Sequence, residues 1–176
     1  LKQRAYDPDR AKHHLKKSGH SGSGLSLSIS DFLYAGAVDG ATLFKEQLTS
    51  CGIDLAVSRE PSDGYFSNIW MKKPFFGSYW SPRPTADIMF STAYAGDAKW
   101  NDTSWKNGSF DKLLVEARSE LDEAKRSEMY AEMQRLVRDD GGNIIPVFAN
   151  NVFAMSSKVS HPNKMSGAWE LDGGRS

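Results

Sequence analysis

Between residues 25 and 57 the chain changes its hydrophobic period twice. Leu25, Leu27 and Ile29 alternate with Ser26, Ser28 and Ser30, the period of two that belongs to a strand with one buried face. Ala37, Ala41, Phe44, Leu48 and Cys51 then recur at spacings of 4, 3, 4 and 3, which gathers them on one face of a helix. Gly52 stops that helix, and Ile53, Leu55 and Val57 return to a period of two. A strand, a helix and a strand in this order make a βαβ unit, two parallel strands covered by the helix between them. The spacing predicts Leu25–Ser30 and Ile53–Ser58 as parallel neighbours in an α/β fold, a mixed and mostly parallel sheet flanked by helices. Cys51 reads as a small buried hydrophobe at a helix end.

The remaining elements follow from capping and breaker signals. Asp7 and Pro8 open a first helix, with Asp9 at the positive end of its dipole. Ala11 and Leu15 face inward, and the helix closes on Lys16, Lys17 and Gly19. Tyr65, Phe66, Ile69, Trp70 and Met71 fit a helix over 62–72, capped by Ser62 or Asp63 and ended by Pro74. Phe75 to Trp80 reads as a short aromatic extended segment. Pro82 and Pro84 stiffen the loop that follows, and Thr85 or Pro84 opens a short helix through Tyr94. Phe110, Leu113, Leu114, Ala117 and Leu121 form one helix face. Asp122 starts the next helix, with Met129, Met133, Leu136 and Val137 inward and Gly141-Gly142 at its end. Acidic and basic residues alternate over both helices, as on a solvated surface. Residues 144–149 read as a strand that Pro146 moves toward an edge, and 152–155 as one more short strand. Beyond Ser156 the chain is turn-like.

Composition narrows the function classes. Lys plus Arg and Asp plus Glu are equal at 22 each, so no bulk field draws nucleic acid or an anionic membrane. No apolar run reaches the roughly 18–20 residues that span a bilayer. The chain begins at Leu1 and not at Met, which points to a trimmed or internal piece. With Cys51 the only cysteine, neither an internal disulfide nor a multi-cysteine metal site is available. His13 and His14 are adjacent, so on a helix they diverge by about 100° and chelate one ion poorly. His20 and His161 stand alone in turn-like segments. No zinc-protease, nucleophile-elbow or phosphate-loop pattern occurs. Neither a metal site nor a cofactor is expected, and no catalytic constellation is present.

What remains is the stretch from Phe75 to Asp87. It sets Phe75, Phe76, Tyr79, Trp80 and Arg83 around Gly77 and two rigid prolines. A guanidinium among aromatic planes can clamp a carboxylate or phosphate while the rings cover apolar parts of a ligand. A stiff loop loses little entropy on binding. The competing reading places Tyr79 and Trp80 in the core and pairs Arg83 with Asp87 or Asp97. Trp100 and Trp105, in a polar loop over 96–108, either pin that loop to the core or line a cleft.

Five segments in order carry a resemblance. They are Tyr6 to Gly19; Phe44-Lys45-Glu46-Gln47-Leu48 with Gly52-Ile53-Asp54-Leu55; Phe110-Asp111-Lys112-Leu113-Leu114; Arg126, Met129, Tyr130, Gln134 and Leu136; and Ile145-Pro146-Val147-Phe148. Together they resemble the extracytoplasmic solute-binding proteins, family 5, of peptide, opine and nickel ABC importers. The resemblance implies a two-lobed, type II periplasmic-binding-protein fold that closes over its ligand at a hinge. Residues 1–176 would form a single C-terminal lobe, the N-terminal lobe being absent, and the tail Trp169 to Arg175 would lie near the natural C-terminus.

The implied role is capture of a small solute, delivery to permease subunits of an ABC importer, and a periplasmic or membrane-associated location without enzymatic activity. Tyr79, Trp80, Ser81, Arg83 and Trp100 are the expected ligand-binding residues. Dipeptide binders of the family carry an aspartate for the peptide's amine after the strand tryptophan, and here Arg83 stands near that position. The resemblance therefore implies an anionic group on a peptide-like, opine-like or sugar-acid solute. Two other classes stay open, a small α/β enzyme domain and a protein-interaction module. The first would need a nucleophile or an acid–base pair in a cleft, and the second an exposed apolar patch.

Overall fold

The computed structural model describes residues 1–150, 152 and 154–160. The chain divides into two compact units, Leu1–Trp80 and the part from Ser81 on.

The first unit is built on the predicted βαβ. Helix α1, Pro8–Ser18, begins at Asp7, whose side chain accepts from the Arg10 amide, and ends at Gly19 in the left-handed region. Strand β1, Leu25–Ile29, and strand β2, Leu55–Arg59, are parallel, in register from Leu25 opposite Leu55 to Ile29 opposite Arg59. Helix α2, Ala37–Thr49, crosses between them. Ala37, Ala41 and Cys51 are buried, and Phe44 and Leu48 are partly so, as their shared face requires. Strand β2 begins at Leu55, not at Ile53, because the helix end and Gly52, at φ 80°, occupy the residues before it. The Ile53 amide still returns to the Leu48 carbonyl.

A third segment joins the sheet. The Ser28 amide donates to the Phe75 carbonyl and the Gly77 amide to that of Ser28, so 75–77 runs parallel beside β1. Ser28 and Ser30 are consequently buried as well as Leu27 and Ile29. The alternation of β1 marks one apolar face, and neighbours cover both.

The helix expected over 62–72 is a single turn, α3, Tyr65–Asn68. Neither Ser62 nor Asp63 caps it; Gly64, at φ 71°, is the residue before it, a conformation that favours glycine. The turn cannot extend, because the backbone enters the left-handed region again at Met71, φ 56°.

The second unit is helical. Helix α4, Ala86–Ala93, is capped by the Thr85 side chain. Helix α5, Gly108–Ser119, is capped by Asn107, and helix α6, Glu123–Asp140, by Asp122. Phe90, Phe110, Leu114, Ala117, Met133 and Val137 are buried. Phe90 packs its ring 5.3 Å from that of Phe110 and stacks on Tyr130 at 6.3 Å. Leu121, expected inward, is 92% exposed. The backbone turns extended at Glu120, ψ 118°, so Leu121 lies past the periodicity that placed it.

The strand expected over 144–149 is not paired among the described residues. Ile144, Ile145, Val147 and Phe148 are exposed there. An apolar run can mark a segment fit for a sheet edge, but only a partner makes it a strand. The strand expected over 152–155 includes Phe153, outside the described residues; those described in it have no assigned pairing. His161 and the tail Trp169 to Arg175 lie outside the described residues.

Candidate functional site

Parallel strands end together, and their carboxyl ends are the usual place for a ligand in α/β proteins. In the first unit that edge is lined with polar groups and rings. Glu60 follows β2 directly, and its amide donates to the Ile29 carbonyl. Its Oε1 accepts from the Ser28 hydroxyl at 2.8 Å and from the Ser58 hydroxyl at 3.0 Å. Nearby Asp31 accepts from the amide of Val38 in α2 and pairs with Arg59 at 3.2 Å.

Tyr65 connects this polar edge to an aromatic cluster. It is 1% exposed, and its hydroxyl donates to the carbonyls of Ser28 at 3.1 Å and Gly77 at 2.8 Å. Burial, and secondly the negative charge of Glu60, push its phenol up to about 12. Phe32 stands edge-on to Tyr65 at 5.3 Å and to Phe66 at 5.4 Å. Phe66 in turn meets Trp70 at 5.7 Å and Tyr79 at 6.2 Å. Edge-to-face packing of this kind is a preferred arrangement of aromatic pairs and fixes the rings against one another. Phe32, Phe66 and Tyr79 are 38%, 46% and 48% exposed. A contiguous exposed patch of large rings marks a binding surface more often than a folding residue.

The expected ligand residues fall on both units. Tyr79 belongs to the aromatic cluster of the first unit, and half-buried Trp80 closes that unit. Ser81, Arg83 and Trp100 belong to the second. Arg83 is half-buried and donates through Nη1 to the Ser81 carbonyl at 3.0 Å. Asp87, one of its two expected acidic partners, is held by Arg118 through Nε at 2.8 Å and Nη2 at 3.2 Å, and also accepts from the Tyr130 hydroxyl.

Of the two tryptophans of the 96–108 loop, one takes the first of the expected roles. Trp105 pins the loop: its Nε1 donates to Asp140 at 2.8 Å, and its ring lies 5.1 Å from Phe110. Buried Asn101 holds the loop from inside, donating to the Ala95 and Trp105 carbonyls. Trp100 is 52% exposed.

The second unit also carries an open groove of about 460 Å³ lined by Ser91, Gly96, Asp97, Lys106, Asp111 and Arg118, among others. None of the expected ligand residues lines it. Its polar groups are largely engaged: Arg118 on Asp87 and Ser91, and Asp111 on the Gly96 amide.

Sequence reasoning missed Phe32, Phe66 and Glu60 as a group. Phe32 and Glu60 each fall just beyond a predicted strand, a position that could have drawn them together. Phe66 was placed on a helix face whose length proved too great.

No protein-family model matches the chain, and no curated protein matches it by sequence. Solved structures do match by fold. One is the ABC transporter-associated periplasmic binding protein DppA from Helicobacter pylori, in complex with the peptide STSA. It superposes with a TM-score of 0.69 at 20% identity, over 81% of this chain and 29% of that one. A second is the ABC transporter substrate-binding protein CtaP from Listeria monocytogenes, with a TM-score of 0.65 at 23% identity, over 77% of this chain and 28% of that one. A third is NikZ from Campylobacter jejuni in complex with Ni(L-His), with a TM-score of 0.65 at 17% identity, over 77% of this chain and 31% of that one. The chain spans less than a third of the length of each. It has the fold of one stretch of the ABC-transporter substrate-binding proteins, the α/β architecture that the five sequence segments led us to expect.

Proposed function

We propose that this chain is the C-terminal lobe of the solute-binding component of an ABC importer. It captures a small peptide-like or anionic solute in a cleft closed by an N-terminal lobe outside this sequence. It then delivers the solute to the membrane permease, and the location is periplasmic or otherwise extracytoplasmic. The observation that carries this reading is the exposed cluster of Phe32, Phe66 and Tyr79 at the carboxyl end of parallel strands. It stands in a fold shared with proteins named for binding peptides and a nickel–histidine complex.

Rings at such an edge bury the apolar parts of a ligand without transforming it. No described helix is long and apolar enough to cross a membrane. Tyr79, Trp80, Ser81, Arg83 and Trp100 are the proposed ligand contacts. Arg83 is assigned an anionic group of the solute, since its fork matches a carboxylate.

The test is native mass spectrometry of the full two-lobed protein, before and after denaturation. A released solute of small-molecule mass supports the reading. A reproducibly empty protein that also ignores peptide, opine and sugar-acid panels overturns it. Within the reading, Arg83→Ala should weaken an acid-bearing solute about tenfold or more, the worth of a charge-assisted contact. Unchanged affinity removes Arg83 from this role.

A further inference from the structure

Two local rules fail together at one residue of the first unit. Met71 takes a φ of 56°. That left-handed region crowds a Cβ against the backbone, and glycine alone enters it freely. The turn around it is closed by hydrogen bonds. The Ile69 and Trp70 amides both donate to the Tyr65 carbonyl, and the Lys72 and Lys73 amides both donate to the Ile69 carbonyl. The angle at Met71 belongs to this tight turn, after which Pro74 leads into 75–77 beside β1. Backbone geometry therefore accounts for the angle but calls for glycine rather than methionine.

Burial does not account for the side chain either. Trp70, next to it, packs against the buried core of the first unit, whereas Met71 is 38% exposed. An exposed apolar side chain offsets little of the strain beneath it. Residues that break local rules in this way cluster at functional sites, and this one adjoins the exposed rings. The Trp70 ring lies 5.7 Å from that of Phe66, which lies 6.2 Å from that of Tyr79. An unbranched, polarisable thioether adapts to apolar groups of varied shape and packs well beside aromatic rings.

We propose that the Met71 side chain is a further solute contact, covering an alkyl or other apolar part of the solute beside Phe66 and Trp70. This rests on the solute-binding reading and adds to it a contact selective for apolar bulk, whatever charge the solute carries. The strain at residue 71 is then kept for binding, so that stability and affinity oppose each other at this position.

The experiment compares the full two-lobed wild type with Met71→Gly and Met71→Leu. Urea unfolding gives the midpoint of each. Native mass spectrometry gives the fraction carrying co-purified solute, and trileucine is titrated by calorimetry. Met71→Gly should unfold at a higher urea concentration than the wild type. It should also carry less solute and bind trileucine about tenfold more weakly, the loss of one buried apolar side chain. Met71→Leu should keep the binding without the gain in stability. A glycine variant that gains stability with solute occupancy and trileucine affinity unchanged overturns the inference and leaves solute binding intact. A glycine variant whose midpoint fails to rise also overturns it, since the side chain then serves the fold. A wild type that carries no solute and ignores trileucine overturns the solute-binding reading, and this inference with it.

Discussion

The two units of this chain are stabilised by different means. The first hides its backbone in a small parallel sheet and collects polar groups where the strands stop: Ser28, Ser58, Glu60 and the Asp31–Arg59 pair. The second has no strand among its described residues. It packs Phe90, Phe110 and Tyr130 together from three capped helices and spends its charges on surface pairs such as Lys112 with Glu116. A helix satisfies its own backbone, so its core can be wholly apolar. A sheet that ends must satisfy the groups beyond its last residue, and polar side chains gather there for that reason. The same chemistry that completes the sheet is what gathers Glu60 and the serines into one cluster.

The largest way to test this contrast is through the core of the second unit. Phe110 is fully buried between Phe90 and Trp105. Phe110→Ala should cost about 3–5 kcal/mol, measured by urea unfolding. Hydrogen exchange should show the amides of β1 and β2 nearly unchanged; if they lose protection equally, the units do not unfold independently.

A smaller effect belongs to the first unit. The folded-state value of Tyr65 lies near 12, above its ordinary 10.0. The protonated phenol is therefore favoured by folding. Its contribution is fully present below pH 10 and is lost as pH rises toward 12, by on the order of 2 kcal/mol. Stability measured from pH 9 to 12 should fall less steeply in Tyr65→Phe than in the wild type. Equal slopes would place the loss on Tyr94 and Tyr130, which burial also raises.

The smallest effect is at a helix start. Asp122 accepts from the amides of Ala124 and Lys125. Asp122→Ala should cost about 1 kcal/mol, seen as a lower urea midpoint for the second unit alone.

Local signals carried most of the fold. The period switch between 25 and 57 placed β1, α2, β2 and their parallel pairing, and Asp7 and Asp122 placed two helix starts, with Thr85 one of two candidates for a third, because capping and amphipathicity act within a few residues. What failed needed knowledge of a distant partner or of a backbone angle. Leu121 looked helical until the backbone straightened at Glu120. The 62–72 helix reduced to one turn because Gly64 and Met71 take left-handed angles that side-chain spacing does not report. Residues 144–149 are an apolar run that reads as a strand, and no strand lies beside them among the described residues. The candidate site was half legible. Tyr79 was singled out from its own neighbourhood, whereas Phe32 and Phe66 meet around Tyr65, and Glu60 meets Ser28, only after the sheet forms.

Residues 144–148 also bear on how the molecule behaves at high concentration. Among the described residues Ile144, Ile145, Val147 and Phe148 present exposed apolar side chains with no strand paired to them, an arrangement on which a second chain can lay a strand of its own. Pro146 withholds one donor in the middle of that row and so interrupts the template. A substitution that restores an N–H there, such as Pro146→Val, would convert a broken ribbon into a continuous one, and turbidity would rise with protein concentration at lower thresholds than in the wild type.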